Sequence, residues 1–216
     1  MSSEEVSREI IFKVLVVGEL ACGKTAIIRC YIHNTFSENY KSTIGVDFAL
    51  KKMRYSPNLM VQLQLWDIAG QARFTNMTRV YYREAVAAFI VFDVTRRSTL
   101  DAVAKWRDDL RAIVKLPDGR DIPIVLLANK CDLGGEINAQ QMDKFCKEND
   151  FIGWFETSAK DNINIEPAMN FMVDSIMRYL PPNSKNFVDS SEESDSDIVS
   201  LDESDDPPRN SRCCFT

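Results

Sequence analysis

The sequence has little of what several classes of protein require. It contains one histidine, His33, and its six cysteines include no CxxC pair, so a zinc site of the usual Cys/His type is not expected. No apolar run approaches the ~18 residues of a membrane-spanning helix. The polar N-terminus MSSEEVSREI has no apolar core of the kind that a secretory signal needs. We therefore expect a reduced, intracellular protein.

An excess of basic residues is also missing. The formal net charge is −6, from 26 basic and 32 acidic residues. Residues 181–216 hold nine of the acidic and three of the basic side chains, so residues 1–180 are balanced with 23 of each. Because the chain has no basic stripe, we do not expect it to bind nucleic acid.

The apolar pattern divides residues 1–180 into alternating strands and helices. The predicted strands are Ile10–Val17, Val46–Arg54, Met60–Trp66, Val86–Val94, Ile122–Asn129 and Gly153–Glu156. One predicted helix begins near Lys24, and three more cover Thr99–Val114, Ala139–Lys147 and Ile165–Leu180. Such alternation favours an α/β fold with a mainly parallel sheet. Two prolines end the last helix, and the Ser/Asp/Glu/Pro-rich segment that follows is predicted to be disordered.

A glycine-containing loop follows the first predicted strand. Gly18-Glu19-Leu20-Ala21-Cys22-Gly23-Lys24-Thr25 matches GxxxxGK[ST] and stands directly before a helix. In this context backbone N–H groups converge on an anion, and glycines allow its close approach. Lys24 is expected to reach the outer phosphates of a nucleotide, and the Thr25 hydroxyl is expected to bind Mg²⁺. The alternative, a turn that binds no ligand, is disfavoured by the motifs that follow.

A second polar segment, Trp66-Asp67-Ile68-Ala69-Gly70-Gln71, ends the third predicted strand. An aspartate at a strand end can hold Mg²⁺ through water, so Asp67 is a predicted metal residue. Gly70 offers an N–H to a γ-phosphate, and Gln71 is expected to orient an attacking water. Thr43 lies in a polar loop that is predicted to fold over the metal.

A third segment, Asn129-Lys130-Cys131-Asp132, predicts the choice of base. A carboxylate at Asp132 pairs with the N1–H and amino group of guanine, whereas adenine has an acceptor at N1. Lys130 can lie along the base with its aliphatic stem. Ser158-Ala159-Lys160 can supply a backbone N–H to the guanine oxygen. Phe36 is a candidate aromatic wall against the base, with core packing as the alternative.

Taken in order, the segments GELACGKT, STIGVDF, WDIAGQ, NKCD and TSAK resemble those of Ras-superfamily small GTPases. TIGVDF and Tyr81-Tyr82-Arg83-Glu84-Ala85 resemble the Rab branch. WDIAGQ in place of the usual WDTAGQ, with LANKCD and GWFETSAKDN, is similar to the Rab group of lysosome-related organelles and melanosomes. The resemblance covers residues 10–180 almost without gaps.

The resemblance implies a P-loop NTPase fold, an α/β structure whose six-stranded, mostly parallel sheet has one antiparallel edge strand and helices on both faces. It divides the chain into a small GTPase G domain at residues 8–180, a disordered acidic tail at 181–212 and a prenylation motif at 213–216. It also implies a switch: GTP and Mg²⁺ order two loops, about residues 37–47 and 67–82, and hydrolysis releases them.

The site residues follow from the motifs and the resemblance together. Gln71 is the predicted catalytic residue, and Thr25, Thr43 and Asp67 are the predicted Mg²⁺ site. The predicted GTP- and GDP-binding residues are Leu20, Ala21, Cys22, Gly23, Lys24, Thr25, Ala26, Phe36, Ser37, Tyr40, Thr43, Gly70, Asn129, Lys130, Asp132, Ser158, Ala159 and Lys160.

Two positions depart from the family pattern. Leu20 stands where Ras has glycine, and a branched side chain there would crowd the γ-phosphate, so we expect slow intrinsic hydrolysis; the resembled Rab group is similar at this position. Ala72 stands where the family usually has a glutamate that assists nucleotide exchange, so we expect weakened exchange.

The alternative function is a GTP-bound scaffold with negligible turnover, against which Gln71 argues. An ATP-using phosphotransferase is disfavoured by Asp132.

The chain ends in Cys213-Cys214-Phe215-Thr216. The resemblance implies geranylgeranyl groups on both Cys213 and Cys214, since two lipids give stable attachment where one is marginal. A CaaX reading, with one lipid on Cys213, stays open, although threonine is atypical at the last position.

The resemblance also implies partners and a location. The expected partners are an exchange factor, a GTPase-activating protein, a GDP-dissociation inhibitor, a prenylation escort, and effectors that bind the switch loops in the GTP state. The chain itself is expected to be a monomer. We expect it on the cytoplasmic face of endosomal or lysosome-related organelle membranes, cycling with the cytosol.

Overall fold

In a computed structural model of the chain, the described residues are 8–39, 41–70, 78–135, 137–180 and 187–188. The strands are β1 (Arg8–Val17), β2 (Val46–Ser56), β3 (Leu59–Ile68), β4 (Ala87–Asp93), β5 (Ile124–Asn129), β6 (Gly153–Thr157) and β7 (Phe187–Val188). The helices are α1 (Lys24–His33), α2 (Arg97–Asp101), α3 (Val103–Ile113), α4 (Ala139–Glu148) and α5 (Ile165–Tyr179). Two 3₁₀ turns cover Thr78–Tyr82 and Cys131–Leu133.

The sheet has the order β2-β3-β1-β4-β5-β6. All neighbours in this order are parallel except β2 and β3, which form the antiparallel hairpin at one edge. From β1 the chain passes to β2 at one edge and returns through β3. It then crosses to β4 on the other side of β1 and continues through β5 to β6 at the opposite edge. Connections between parallel strands of one sheet are right-handed. A chain that winds first in one direction and then in the other therefore places helices on both faces of the sheet. The predicted six-stranded, mostly parallel sheet is confirmed.

Burial follows the position of each strand in the sheet. Every residue of β4 and β5, two neighbouring interior strands, is buried, as expected for strands covered on both faces. The edge strand β2 instead alternates between exposed and half-buried residues. The change of winding direction at β1 leaves a crevice at the carboxyl ends of the central strands, where α/β proteins bind ligands.

The predicted single helix Thr99–Val114 is interrupted in the structure. It consists of α2 and α3 with a break at Ala102. The Thr99 hydroxyl accepts a hydrogen bond from the backbone N–H of Asp93 and lies 3.1 Å from its carbonyl oxygen. These contacts hold α2 against the end of β4, a constraint that helical periodicity does not contain.

A short seventh strand was not predicted. The backbone of Phe187–Val188 pairs antiparallel with Ile10 and Glu9. It lies on the side of β1 that β4 leaves open, because β4 pairs only with Val14–Val17. The predicted tail begins at residue 181, so β7 lies within the segment to which that prediction applies. Residues 181–186 and 189–216 lie outside the described residues.

The buried sheet centre gives a test of the fold. Leu126 is fully buried in β5. Leu126→Ala should lower the free energy of unfolding by about 2–5 kcal/mol, because it removes buried methyl groups and leaves a cavity. The matched control is Leu50→Ala on the edge strand, where the side chain is 39% exposed and the loss should be far smaller. Urea titration with saturating nucleotide measures both, and equal losses would contradict the assigned core.

Candidate nucleotide-binding site

The predicted phosphate loop, residues 18–25, joins β1 to α1. A Cβ at Gly18 would lie 2.1 Å from the Val91 carbonyl oxygen, and one at Gly23 would lie 2.2 Å from Asn129 Nδ2. Gly23 also has φ +95°, in the left-handed region that favours glycine. Both glycines are therefore needed because the loop packs directly on β4 and on the end of β5.

The first turn of α1 begins at Lys24 without a side-chain cap, since Gly23 is the N-cap residue. Uncapped N–H groups at a helix N-terminus carry partial positive charge and favour an anion. In the loop before it, the carbonyl of Leu20 accepts from Arg96 Nη2 at 2.7 Å, and the carbonyl of Cys22 accepts from Asn129 Nδ2 at 2.8 Å. With these carbonyls held from outside the loop, the backbone can form an anion-binding nest of N–H groups.

Lys24 adds a full charge at the same place. Its side chain is only 5% exposed, and its ammonium donates to the carbonyls of Gly18 and Glu19 at 3.0 Å each. Burial lowers the pKa of Lys24, and the negative charge of Asp67 opposes that shift. Among the described residues, the acceptors of its hydrogen bonds are these neutral carbonyls, and a buried ammonium in such a setting is a favourable partner for a phosphate.

Three oxygen-bearing side chains meet beside the start of α1. The hydroxyl oxygens of Thr25 and Thr43 lie 2.8 Å apart, and Asp67 Oδ2 accepts hydrogen bonds from both hydroxyls. Asp67 is almost completely buried, and its other oxygen, Oδ1, is a buried atom that has no hydrogen-bond partner among the described residues. Burial raises the pKa of Asp67, while hydrogen bonds from the two threonines and the charge of Lys24 oppose the rise.

This oxygen cluster fits a magnesium ion. Mg²⁺ prefers octahedral oxygen ligands at about 2.0–2.1 Å, which places adjacent ligands about 3 Å apart, close to the separation of the two hydroxyls. The orphaned Asp67 Oδ1 offers a further acceptor for metal-bound water. Within the described residues, no group of three or more His, Cys, Asp or Glu side chains forms a different metal site.

The loop that carries Thr43 is also tied to the end of β3. The Ala69 N–H donates to the Gly45 carbonyl at 3.0 Å. A Cβ on Gly70 would lie 2.4 Å from the backbone nitrogen of Leu20, so Gly70 directly abuts the phosphate loop. Gly45 of the first predicted switch loop therefore lies next to Ala69 of the second, and Gly70 of the second lies against the phosphate loop.

Ten of the predicted GTP-binding residues line one open cleft beside the start of α1. They are Leu20, Ala21, Gly23, Lys24, Thr25, Ala26, Phe36, Ser37, Thr43 and Gly70. Phe36 is exposed at the rim of this cleft, so the alternative assignment of its ring to the core is wrong.

The predicted base-binding residues form a second group at the ends of β5 and β6. Ser158 Oγ donates to Asp132 Oδ1 at 2.6 Å, which joins the NKCD and SAK segments. Ala159 is buried, and Lys160 Nζ lies 3.9 Å from Glu38 Oε1 on the loop after α1. Asn129 connects this group to the phosphate loop through its bond to Cys22.

One residue of the site was not recognised in the sequence. Asp93, 2% exposed at the end of β4, accepts from Lys130 Nζ at 2.6 Å. Burial alone would raise the pKa of Asp93, but hydrogen bonds from Lys130 and Thr95 outweigh it and hold the pKa below its usual value. The available signal was a carboxylate within the apolar segment Val86–Val94, which is costly to bury without partners.

Several predicted residues lie outside the described part of the chain. These are Tyr40, Gln71, Ala72, Cys213 and Cys214. Their assignments stay predictions. Among the described helices, none is long and apolar enough to cross a membrane.

Comparison with known proteins agrees with this geometry. The Ras family model matches residues 13–178. The chain is 55% identical to human Ras-related protein Rab-32 over 96% of the chain and 91% of that protein. It is 58% identical to Rab-32A of Dictyostelium discoideum over 82% of the chain and 83% of that protein, and 52% identical to human Rab-7L1 over 80% and 85%. The chain belongs to the Ras family and to its Rab branch of small GTPases, which are GTP hydrolases.

Proposed function

We propose that this protein is a guanine-nucleotide switch that binds GTP with Mg²⁺, hydrolyses it and recruits effectors in vesicle trafficking to lysosomes or lysosome-related organelles. The observation that carries the proposal is the meeting of Thr25, Thr43 and Asp67. It joins the phosphate loop to a loop 18 residues away in sequence, which is what a nucleotide-dependent switch requires.

Binding follows from the charges of the site. The N–H groups of residues 18–25 and the Lys24 ammonium would receive the β- and γ-phosphates. Thr25 and Thr43 would hold Mg²⁺ directly, with Asp67 acting through water; the ion would neutralise charge on the phosphate oxygens. Because Thr43 belongs to the first switch loop, its position depends on what occupies the phosphate site.

Hydrolysis requires a positioned water and room at the γ-phosphate. Gln71 is the residue that we assign to orienting that water. The side chain of Leu20 lines the cleft next to Gly70, so it narrows the region where the γ-phosphate and the water must lie. We therefore propose slow intrinsic turnover that an activating protein accelerates.

Effector binding is supported by an apolar surface between the two switch loops. Phe48 packs edge-on against Trp66 with ring centroids 5.4 Å apart, and Tyr81 lies 6.1 Å from Trp66. Lys13 Nζ is 4.1 Å from the Trp66 ring centroid, on β1 beneath this cluster. Ile44 is 93% exposed on the adjacent loop. Exposed apolar patches of this kind mark interaction sites.

Single-turnover GTP hydrolysis tests the catalytic proposal. Leu20→Gly should hydrolyse bound GTP about tenfold faster than the wild type, because removing the branched side chain opens space for water; this factor is an order-of-magnitude expectation of about 1.4 kcal/mol in the barrier. Gln71→Leu is the control: it should retain GTP binding and lose hydrolysis, including the acceleration by a matching activating protein.

The outcomes separate the candidate functions. An unchanged rate in Leu20→Gly would contradict steric inhibition by Leu20. If the wild type shows no turnover even with an activating protein, the chain acts as a GTP-bound scaffold instead. Preference for mant-ATP over mant-GTP would reject both functions.

Base selection is tested by Asp132→Asn. The asparagine oxygen can still accept from Ser158, but one charged acceptor for guanine is lost, so GDP affinity should fall by about a hundredfold or more. Binding of xanthine nucleotides should improve, because xanthine presents an oxygen where guanine has its amino group. Asp161→Asn, on the neighbouring loop after β6, is the matched control and should keep guanine selectivity. Competition against mant-GDP measures the preference; unchanged selectivity in Asp132→Asn would remove Asp132 from the base site.

Membrane attachment is tested at the terminal cysteines. The Cys213→Ser, Cys214→Ser double variant should move fully from the membrane fraction to the cytosol of cells. If both cysteines are lipidated, Cys214→Ser should carry one lipid by mass spectrometry and bind membranes only weakly. A wild-type mass with one lipid on Cys213 would support the CaaX reading. Membrane retention of the double variant would exclude lipid anchoring at this site.

A further inference from the structure

Strand β4 lies between the strand that leads into the phosphate loop and the strand that leads into NKCD. Asp93 ends β4 directly opposite Asn129, which ends β5. From this position its carboxylate contacts the segment after β5 and the loop that follows β4 itself: Oδ2 accepts from Lys130 Nζ at 2.6 Å and from Arg96 Nε at 3.0 Å. The backbone N–H and the hydroxyl of Thr95 bind Oδ1 at 3.0 and 2.6 Å. The carboxylate is therefore held rigidly by four donors.

Arg96 extends this network to the phosphate loop. While its Nε binds Asp93, its Nη2 donates to the Leu20 carbonyl at 2.7 Å and lies 3.7 Å from Cys22 Sγ. The planar guanidinium holds its donors in a fixed fork, so it fixes the distance and direction between the Asp93 carboxylate and the Leu20 carbonyl.

The direction of the Leu20 carbonyl matters for anion binding. Backbone N–H groups form a nest only where successive residues alternate between right- and left-handed conformations, so that their carbonyls point elsewhere. Ala21, the next residue, has φ +61°, which is strained for a residue with a side chain. A strained backbone persists only where its surroundings hold it, and the bond from Arg96 to Leu20 is such a restraint.

We propose that Arg96 is a positioning residue for nucleotide binding. Held by Asp93, it keeps the Leu20 carbonyl pointing out of the phosphate loop. It thereby keeps Leu20 and Ala21, the crest of the loop, in the anion-binding conformation. This inference rests on the proposed function, because it assigns a role at the same nucleotide site. Through the shared carboxylate of Asp93, it also connects the phosphate loop to Lys130 of the base-binding segment.

The test is the release of mant-GDP from the full-length protein with Mg²⁺ present. Arg96→Met keeps an unbranched apolar stem and removes the hydrogen bonds to Asp93 and Leu20, and we expect it to release mant-GDP about tenfold faster, equivalent to about 1.4 kcal/mol. Arg96→Lys should be intermediate, because one ammonium lacks the fork that reaches both acceptors. Arg97→Met is the matched control: its exposed side chain pairs with Asp101 on α2, and release should match the wild type.

A second readout distinguishes positioning from a general loss of structure. In competition with mant-GDP, Arg96→Met should weaken GDP and GTP about tenfold but leave the weaker competitor GMP within about twofold, since GMP lacks the outer phosphates that the loop crest would bind. Equal weakening of all three would indicate a merely structural role. Asp93→Asn combined with Arg96→Met should show less than additive effects, because the two side chains act through one contact.

The outcomes are distinguishable from failure of the underlying function. If wild-type protein takes up no mant-GDP, nucleotide binding and the role of Arg96 are both rejected. If the wild type holds mant-GDP and Arg96→Met releases it at the rate of the wild type and of Arg97→Met, only the role of Arg96 is rejected.

Discussion

The N-terminus of α1 presents uncapped N–H groups and a buried lysine ammonium to one point, and the rest of the site is arranged around that positive charge. A helix start without a side-chain cap leaves donors unsatisfied, and burial makes the charge of Lys24 costly. Both costs fall when an anion is bound. The glycines of the loop, the carbonyl contacts of Asn129 and the carboxylate of Asp67 are all consistent with one ligand, a nucleotide phosphate chain with its metal.

The same arrangement explains how one site can control a distant surface. Thr43 and Asp67 contact each other at the proposed metal site; Thr43 lies just before β2, and Asp67 lies within β3. Phe48 and Trp66 are paired neighbours on those two strands. In the proposed switch, ordering of the phosphate site would reach the exposed aromatic cluster through the few residues of β2 and β3 that separate the two.

Much of the fold was predictable because it depends on local pattern. The buried strands are short apolar segments, the phosphate loop is eight consecutive residues, and the hairpin of β2 and β3 closes at a Pro-Asn turn. The break between α2 and α3 was not predictable, because it depends on a contact of Thr99 with the end of β4. The pairing of β7 with β1 depends on an edge that only the assembled sheet reveals.

In the candidate site, too, the residues in contiguous motifs were predictable and the contacts between distant residues were not. Lys24, Thr25 and Asp132 stand in contiguous motifs, whereas the contact of Arg96 with Leu20 joins residues 76 positions apart. Asp93 is the instructive case, because its position follows from topology. A side chain at the carboxyl end of β4 is the one that the sheet order places between the loops after β1 and β5. A buried carboxylate there requires donors from its neighbours. Lys130 and Arg96 supply those donors. Because both bind the one buried carboxylate, Asp93 connects the base-binding segment with the phosphate loop, although no single sequence motif contains the two.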